Sequence, residues 1–424
     1  MVSNNKLFKL NILCFMLVLM AGIIFLCCGF SVRLPDGVKI NGEEVGGLSR
    51  EQAVEKIRSG VVKKLKDNTL EIKCENCTYT YSYPEINFKD NLYSVVRDLK
   101  KGQNATAKIN YYLCGIDEVI SGIMFAESIQ VVEPYAEFKA SAQPFIYHEG
   151  SDGKTIDIQR LKMDILSSIN GDFTPVTAAY VGVNRKNSLQ QIKNDTALLA
   201  KFTTYYDGDN LSRSSNIRLA SSKLNGKILG AGKLLSFNDI VGARLKSRGF
   251  LPAKIIENGE FTEGVGGGVC QVSTTLYNAA LLSGLEIEEY HPHSLPVSYV
   301  PPSRDAMVSG TDCDLKIRNS LDCPVYICSR TGKGYVTFEF YGRRGEAEYS
   351  IFSEVTGNIA APEEKVDDPE KARDGKDGII SSGYLTVKRG NYKKTTLLRK
   401  DKYKPLKKLV YEGEEQSIEK KEEN

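Results

Sequence analysis

Tryptophan is absent from the 424 residues, and histidine occurs only three times. The first absence carries little weight. The scarcity of histidine matters more, because any place where a histidine and one of the ten cysteines come together in sequence becomes informative. A charge excess is also missing: Lys and Arg total 56 against 53 Asp and Glu, and a net +3 gives no electrostatic basis for binding nucleic acid. With 41% hydrophobic and 26% charged residues the composition is that of a globular protein, so a wholly disordered chain and a polytopic membrane protein are both excluded. At roughly 150 residues per domain the length predicts about three folded units.

Only one hydrophobic run is long. From Leu10 to Phe30 the sole strongly polar residue is Asn11, and Lys6 and Lys9 precede it. A membrane-spanning helix needs about 20 such residues, whereas the apolar part of a signal peptide needs roughly 7 to 15 and a small-x-small cleavage site. Ile24-Phe25-Leu26-Cys27-Cys28 supplies no such site and no lipoprotein box. The run therefore predicts an uncleaved single-pass anchor in the cell membrane, with the N-terminus inside and the main portion outside the cytoplasm. The alternative is an atypical signal peptide, and both export the rest. Cys14, Cys27 and Cys28 fall in this run, leaving Cys74, Cys77, Cys114, Cys270, Cys313, Cys323 and Cys328 outside it. An odd number of exported cysteines leaves at least one thiol unpaired if disulfides form.

Along the exported chain, Ser49 and Gln52 have capping-box spacing ahead of a helical face at Ala53 and Ile57. Alternation from Leu70 to Tyr83 predicts a hairpin with Cys74-Glu75-Asn76-Cys77 at its turn. No second CxxC exists, so a local disulfide or two idle thiols is favoured over zinc. Leu92, Val95 and Leu99 form a further apolar stripe ended by Gly102. Asp157, Leu161, Ile165, Ile169 and Gly171 mark another helix. The expected divisions are a tip and anchor over 1–33, α+β modules over 34–108 and 109–200, and a mixed β-rich domain over 201–345. A charged linker over 346–382, a β segment over 383–413 and a charged tail over 414–424 complete the chain. The fold class predicted is thus α+β: a membrane-anchored multidomain chain of small modules, then the β-rich domain and a short β tail.

The residues that could carry chemistry lie between Glu263 and Ala306. Gly264, Gly266, Gly267 and Gly268 predict a turn that lets backbone approach a ligand closely, and Cys270 follows at the start of a helix whose face is Val272, Leu276, Ala279 and Ala280. A helix N-terminus stabilises negative charge and lowers a thiol pKa from about 8.5. Backbone N–H groups around Gly267, Gly268 and Gln271 could hold an oxyanion there. His291-Pro292-His293 comes shortly after. Either histidine could accept the thiol proton and return one to a leaving amine, with His293 preferred for its place between Pro292 and Pro296. Ser273, Thr274, Arg304 and Asp305 are candidate substrate contacts. Arg304 would meet a carboxylate, while Asp305 would bind an amine or orient an imidazole, and a buried ion pair is the alternative for both. The plainer alternatives are a packed Cys270 and an HPH loop wedge or metal-ligand fragment. No standard zinc spacing is present, and no metal or other cofactor is expected.

In GGGVCQVSTTLYNAAL, HPHS, VSYVPPSRDA and DLKIRN, in that order from about Asn210 to Arg343, the chain resembles the VanW domain. Ser303 departs from the family where many members have glycine, and Met307 where threonine is frequent. The segments Val38–Gly102 and Pro134–Val181, most clearly in INGEEVGGLSREQA and DGKTIDIQRL, resemble the peptidoglycan-binding modules that precede VanW domains. Gly383–Gly413 is similar to half of a G5 domain. The resemblance implies an L,D-transpeptidase of peptidoglycan with Cys270 as nucleophile, acting on stem peptides and bound to wall glycan. The other readings are a non-catalytic wall-binding protein and an accessory factor for glycopeptide resistance.

Overall fold

The computed structural model describes residues 33–257, 260–310 and 312–411. The expected anchor over 10–30 and the tail over 414–424 lie outside these. Among the described residues no helix is long and apolar enough to cross a membrane. The architecture is mixed α+β, built from many small sheets. Contacts divide it into two units: one runs to Val132 and resumes over Asp152–Arg185, and the other comprises Glu133–Ser151 and the chain from Lys186 onward.

In the first unit the Arg50–Lys66 helix begins at the predicted capping box, with the Ser49 hydroxyl accepting from the Gln52 N–H and the Gln52 side chain accepting from the Ser49 N–H. It buries Ala53, Val54, Ile57, Val61 and Leu65. The predicted hairpin pairs Leu70–Lys73 with Thr78–Tyr81 and leaves the CxxC at its turn. There the Cys77 thiol donates to Glu127 Oε1 at 3.2 Å, and the Tyr180 hydroxyl donates to Glu127 Oε2 at 3.0 Å.

The boundary expected at 108/109 does not separate two bodies. Ile86–Asp90 pairs with Ile109–Leu113, and Leu70–Lys73 pairs in parallel with Val176–Thr177. Leu65, Ile72, Ile86, Ile120, Leu161 and Ile165, drawn from both expected modules, occupy one apolar cluster. The two segments bury apolar faces against each other there, while Val38, Ile40, Val54, Ile57 and Leu92 form a second cluster within the first segment.

The second unit is built on a four-stranded antiparallel sheet in the order Ala197–Tyr205, Tyr335–Gly342, Val325–Gly332, Lys227–Leu229. The Leu211–Leu224 and Val269–Leu282 helices share its core with Phe237, Phe338 and Phe340. From Gln271 to Leu281 every residue of the second helix is buried, polar ones included. Such a helix has no solvent face, and its hydroxyls and amides must find partners inside the protein.

The expected linker over 346–382 is instead largely sheet. Glu348–Ile359 pairs with Gly378–Arg389, which pairs in turn with Tyr392–Tyr403. The charges that suggested disorder are cross-strand partners: Glu363–Val366 runs parallel to Lys408–Tyr411, with Lys408–Glu363 and Lys407–Glu364 ion pairs each at 2.6 Å.

Leu276 is fully buried at the centre of the second unit. Leu276→Ala is expected to lower that unit's unfolding free energy by about 2–5 kcal/mol, read from the urea midpoint. A loss below about 0.5 kcal/mol would contradict the central position of this helix.

Candidate active site

The glycine turn is built as closely as its sequence suggested. A Cβ on Gly267 would lie 2.6 Å from the Lys254 carbonyl oxygen, and Gly268 has φ of 107°, a left-handed backbone that side chains disfavour. Fully buried Asn216 clamps the turn: its Nδ2 donates to Leu251 O at 2.9 Å and Gly267 O at 3.0 Å, and its Oδ1 accepts from Leu251 N at 2.8 Å.

Gly268 caps the Val269–Leu282 helix, which makes Cys270 its second residue. Val269 N–H donates to Gly266 O and Gln271 N–H to Gly268 O, both at 3.1 Å, so these two first-turn donors are already used. The Cys270 N–H has no recorded partner among the described residues. Of the N–H groups expected to hold an oxyanion, that of Gln271 is used, while those of Gly267 and Gly268, like that of Cys270, make no hydrogen bond among the described residues. Gln271 is engaged throughout: its amide donates to Thr204 Oγ1 at 3.1 Å and Tyr205 O at 2.9 Å, and its carbonyl accepts from Arg213 at 2.8 Å.

His293 is the histidine beside Cys270, near enough to act on its thiol. The imidazole is only 5% exposed, and its Nδ1 lies 2.6 Å from Asp305 Oδ2, which leaves Nε2 for the sulfur. The same carboxylate oxygen accepts the His293 backbone N–H at 2.7 Å, so ring and loop are fixed together. His291 turns elsewhere, its Nε2 lying 2.9 Å from Glu289 Oε1. Two histidines separated by a single proline therefore have different neighbours. Among the described residues no cluster of three or more His, Cys, Asp and Glu side chains is arranged to hold a metal ion.

Burial pushes the Cys270 thiol up, but the hydrogen bond and charge of His293, with the Arg244 guanidinium, outweigh it and hold the thiol below its ordinary value. Burial works against the His293 imidazolium, yet Asp305 and Cys270 raise its pKa to about 9. The two shifts have one sense: each partner favours the charged form of the other, moving the pair toward thiolate and imidazolium. Burial would also raise the Asp305 carboxyl, but His293, Arg399 and Tyr403 keep it low and ionised.

The expected substrate contacts are mostly internal. Ser273 and Thr274 are fully buried. The Ser273 hydroxyl donates to Ala306 O at 2.6 Å, and Thr274 Oγ1 accepts Ala306 N–H at 2.9 Å, fastening the segment after Asp305 to the helix. Arg304 Nε donates to Asn278 Oδ1 at 3.1 Å, and its guanidinium lies 5.1 Å from the centre of the Phe202 ring. Asp305, completely buried, meets an imidazole, as one of its two expected roles required. A substrate carboxylate or amine would have to displace these partners, because the helix carrying them has no solvent face.

Sequence reasoning missed four residues here. Arg244 contributes positive charge near the thiol, and half-buried Tyr299 lies near Thr274 and Cys270. The other two are Arg399 and Tyr403. The Tyr403 hydroxyl donates to Asp305 Oδ1 at 2.5 Å. Arg399 Nη1 donates to Asp305 O at 2.6 Å, with Nη2 3.5 Å from Oδ1. Ser303 has φ of 60°, the left-handed backbone that explains glycine in the resembled family. Its N–H donates to the Tyr403 hydroxyl at 2.7 Å, and its hydroxyl lies 2.6 Å from Ser381 Oγ.

Residues 212–341 match the family model described as VanW like protein, so the chain carries a VanW-like domain over that span. The uncharacterized protein YoaR of Bacillus subtilis (strain 168) is 39% identical over 146 residues, 34% of this chain and 48% of the relative. The vancomycin B-type resistance protein VanW of Enterococcus faecalis (strain ATCC 700802 / V583) is 32% identical over 117 residues, 26% of this chain and 42% of the relative. The chain spans about half the length of the curated relatives it matches, 48% and 42%. No solved structure matches it.

Cys270 is expected to react with iodoacetamide well below the pH of about 8.5 at which an ordinary thiol ionises. His293→Ala should move the midpoint of that rate–pH profile upward, whereas His291→Ala should leave it in place, as followed by mass spectrometry of the peptide carrying Cys270. An unmoved midpoint in folded His293→Ala would remove the imidazole from the thiol's surroundings.

Proposed function

We propose that the VanW-like domain is a cysteine acyltransferase, an L,D-transpeptidase that forms 3-3 cross-links between peptidoglycan stem peptides outside the membrane. The observation that supports this reading is the Cys270–His293–Asp305 series, in which a buried carboxylate fixes an imidazole that faces a thiol at a helix N-terminus. A packed structural cysteine needs no such chain of partners.

In this reading the Cys270 thiolate attacks the carbonyl carbon at the L-centre of the third residue in a donor stem. The carbonyl π electrons move onto oxygen, and the Cys270 N–H donates to that oxyanion. Collapse re-forms the carbonyl and breaks the C–N bond to the terminal D-alanine, whose departing nitrogen takes the proton held on His293 Nε2. A thioester remains. The side-chain amine of a second stem then attacks the thioester, gives its proton to His293 and expels the thiolate, which restores the starting pair. Water in place of the amine would make the reaction a carboxypeptidase step. No metal or nucleotide is required by any of these transfers. The first unit would bind wall glycan, and an N-terminal membrane helix would keep the chain at the wall.

One observation favours a second reading. The Cys270 side chain is half-buried, and its thiol donates to Val308 O at 3.3 Å, a placement that also suits a thiol that serves packing. The protein would then be a non-catalytic wall-binding or glycopeptide-resistance accessory protein, the latter in keeping with the printed name of one relative.

Incubation of the protein with disaccharide-tetrapeptide, followed by mass spectrometry, separates the two. The transpeptidase reading expects an acyl-enzyme adduct and 3-3 dimers, both abolished in Cys270→Ala while folding and wall binding persist. Unchanged tetrapeptide from protein that still binds wall material would favour the second reading.

A further inference from the structure

The family match ends at residue 341, yet the hydrogen bonds that hold Asp305 extend beyond it. Asp305 is fully buried and accepts from two directions. One oxygen serves the ring and backbone of His293; the other serves the hydroxyl of Tyr403. Arg399 adds its fork, with Nη1 on the Asp305 carbonyl, Nη2 toward Oδ1 and Nε donating to Asp401 Oδ2 at 2.6 Å. Tyr403 is fully buried, and Arg399 is 4% exposed. Both belong to the Tyr392–Tyr403 strand of the C-terminal three-stranded sheet.

We infer that this C-terminal strand is part of the catalytic apparatus: Arg399 and Tyr403 are positioning residues that aim the Asp305 carboxylate at His293 and thereby set the reactivity of Cys270. The inference rests on the reading of Cys270 and His293 as a reactive pair. A buried carboxylate with donors on only one oxygen would leave the other lone pairs unmet, at a cost that rotation of the group would relieve. Tyr403 and Arg399 remove that incentive, and so they lock the rotation that keeps Oδ2 on the imidazole.

Three further contacts tie the strand to the same loops. The Ser303 N–H donates to the Tyr403 hydroxyl, which is thereby both acceptor and donor, and Lys404 N–H donates to Ser294 O at 2.7 Å, one residue after His293. The guanidinium of Arg399 lies 4.4 Å from the centre of the Tyr290 ring, just before the His291-Pro292-His293 run. The strand therefore grips both the loop that carries the imidazole and the one that carries the carboxylate. A buried guanidinium is costly unless fully partnered, and Arg399 finds its partners in Asp305 and Asp401.

The test uses the full-length chain and needs no wall substrate. The rate of Cys270 modification by iodoacetamide is measured across pH, alongside the melting temperature, in the parent, Tyr403→Phe, Arg399→Lys and a control, Thr395→Ala. The control removes the 2.8 Å Thr386–Thr395 hydroxyl contact in the same sheet, away from Asp305. Tyr403→Phe keeps the ring and loses the hydroxyl, and Arg399→Lys keeps the charge and loses the fork. Expected is a roughly tenfold slower modification at neutral pH in both variants, with the profile midpoint moved toward that of an ordinary thiol. Thr395→Ala should alter the melting temperature alone. Parental rates in folded Tyr403→Phe and Arg399→Lys would overturn the inference, as would an equal slowing in Thr395→Ala, which would mark general loosening. A parent whose Cys270 titrates as an ordinary thiol would overturn it together with the reactive pair. Failure to form 3-3 dimers, with the variants still slowing modification, would sink the transpeptidase reading and leave this inference standing.

Discussion

The second unit is organised around one buried negative charge. The Asp305 carboxylate is withdrawn from water, and such a group is tolerated only when every direction of approach offers a donor. Those donors come from the His293 loop and from Arg399 and Tyr403, so two segments far apart in sequence must converge before the charge can be accommodated. Neighbouring contacts hold the convergence in register. Ser273 and Thr274 fasten Ala306, and Asn278 donates to the Arg304 carbonyl while accepting from its Nε. The Val269–Leu282 helix thus presents a buried polar seam along one side and apolar side chains along the rest. Cys270 at its first turn is aimed by the same bonds that settle the carboxylate.

Electrostatic consequences follow from the geometry in a single direction. A buried thiol should be hard to ionise and a buried imidazole hard to protonate, yet both shifts are reversed by the partner's presence. Each member makes the charged form of the other affordable. Asp305 acts on the sum, since its charge lies against the imidazolium and favours the proton's residence on nitrogen. Arg244 acts on the other end, near the sulfur.

The sequence made parts of this legible because they are local. A glycine turn, a cysteine at a helix start and a histidine held between prolines are short-range patterns with direct physical readings, and the Ser49 cap and the Leu70–Tyr81 hairpin were legible for the same reason. Ser273 and Thr274, expected to meet substrate, point inward because the helix that carries them is buried on all sides. Arg399 and Tyr403 left no local trace, since their partner Asp305 is 94 and 98 positions away. The charged stretch over 346–382 looked disordered because composition is blind to register, and register is what sets Glu363 opposite Lys408. The modules expected to be separate share apolar residues in one core, a fact that periodicity within either segment cannot express.

The hydroxyl of Tyr403 also has a consequence in time. A polypeptide is made from its N-terminus onward, so Cys270, His293 and Asp305 all leave the ribosome before the strand that carries Arg399 and Tyr403 exists. Until that strand docks, the Asp305 carboxylate lacks half its donors and Ser303 holds its left-handed turn without the Tyr403 hydroxyl. If that strand has the inferred positioning role, a nascent chain would keep its thiol in a less reactive state until Arg399 and Tyr403 dock.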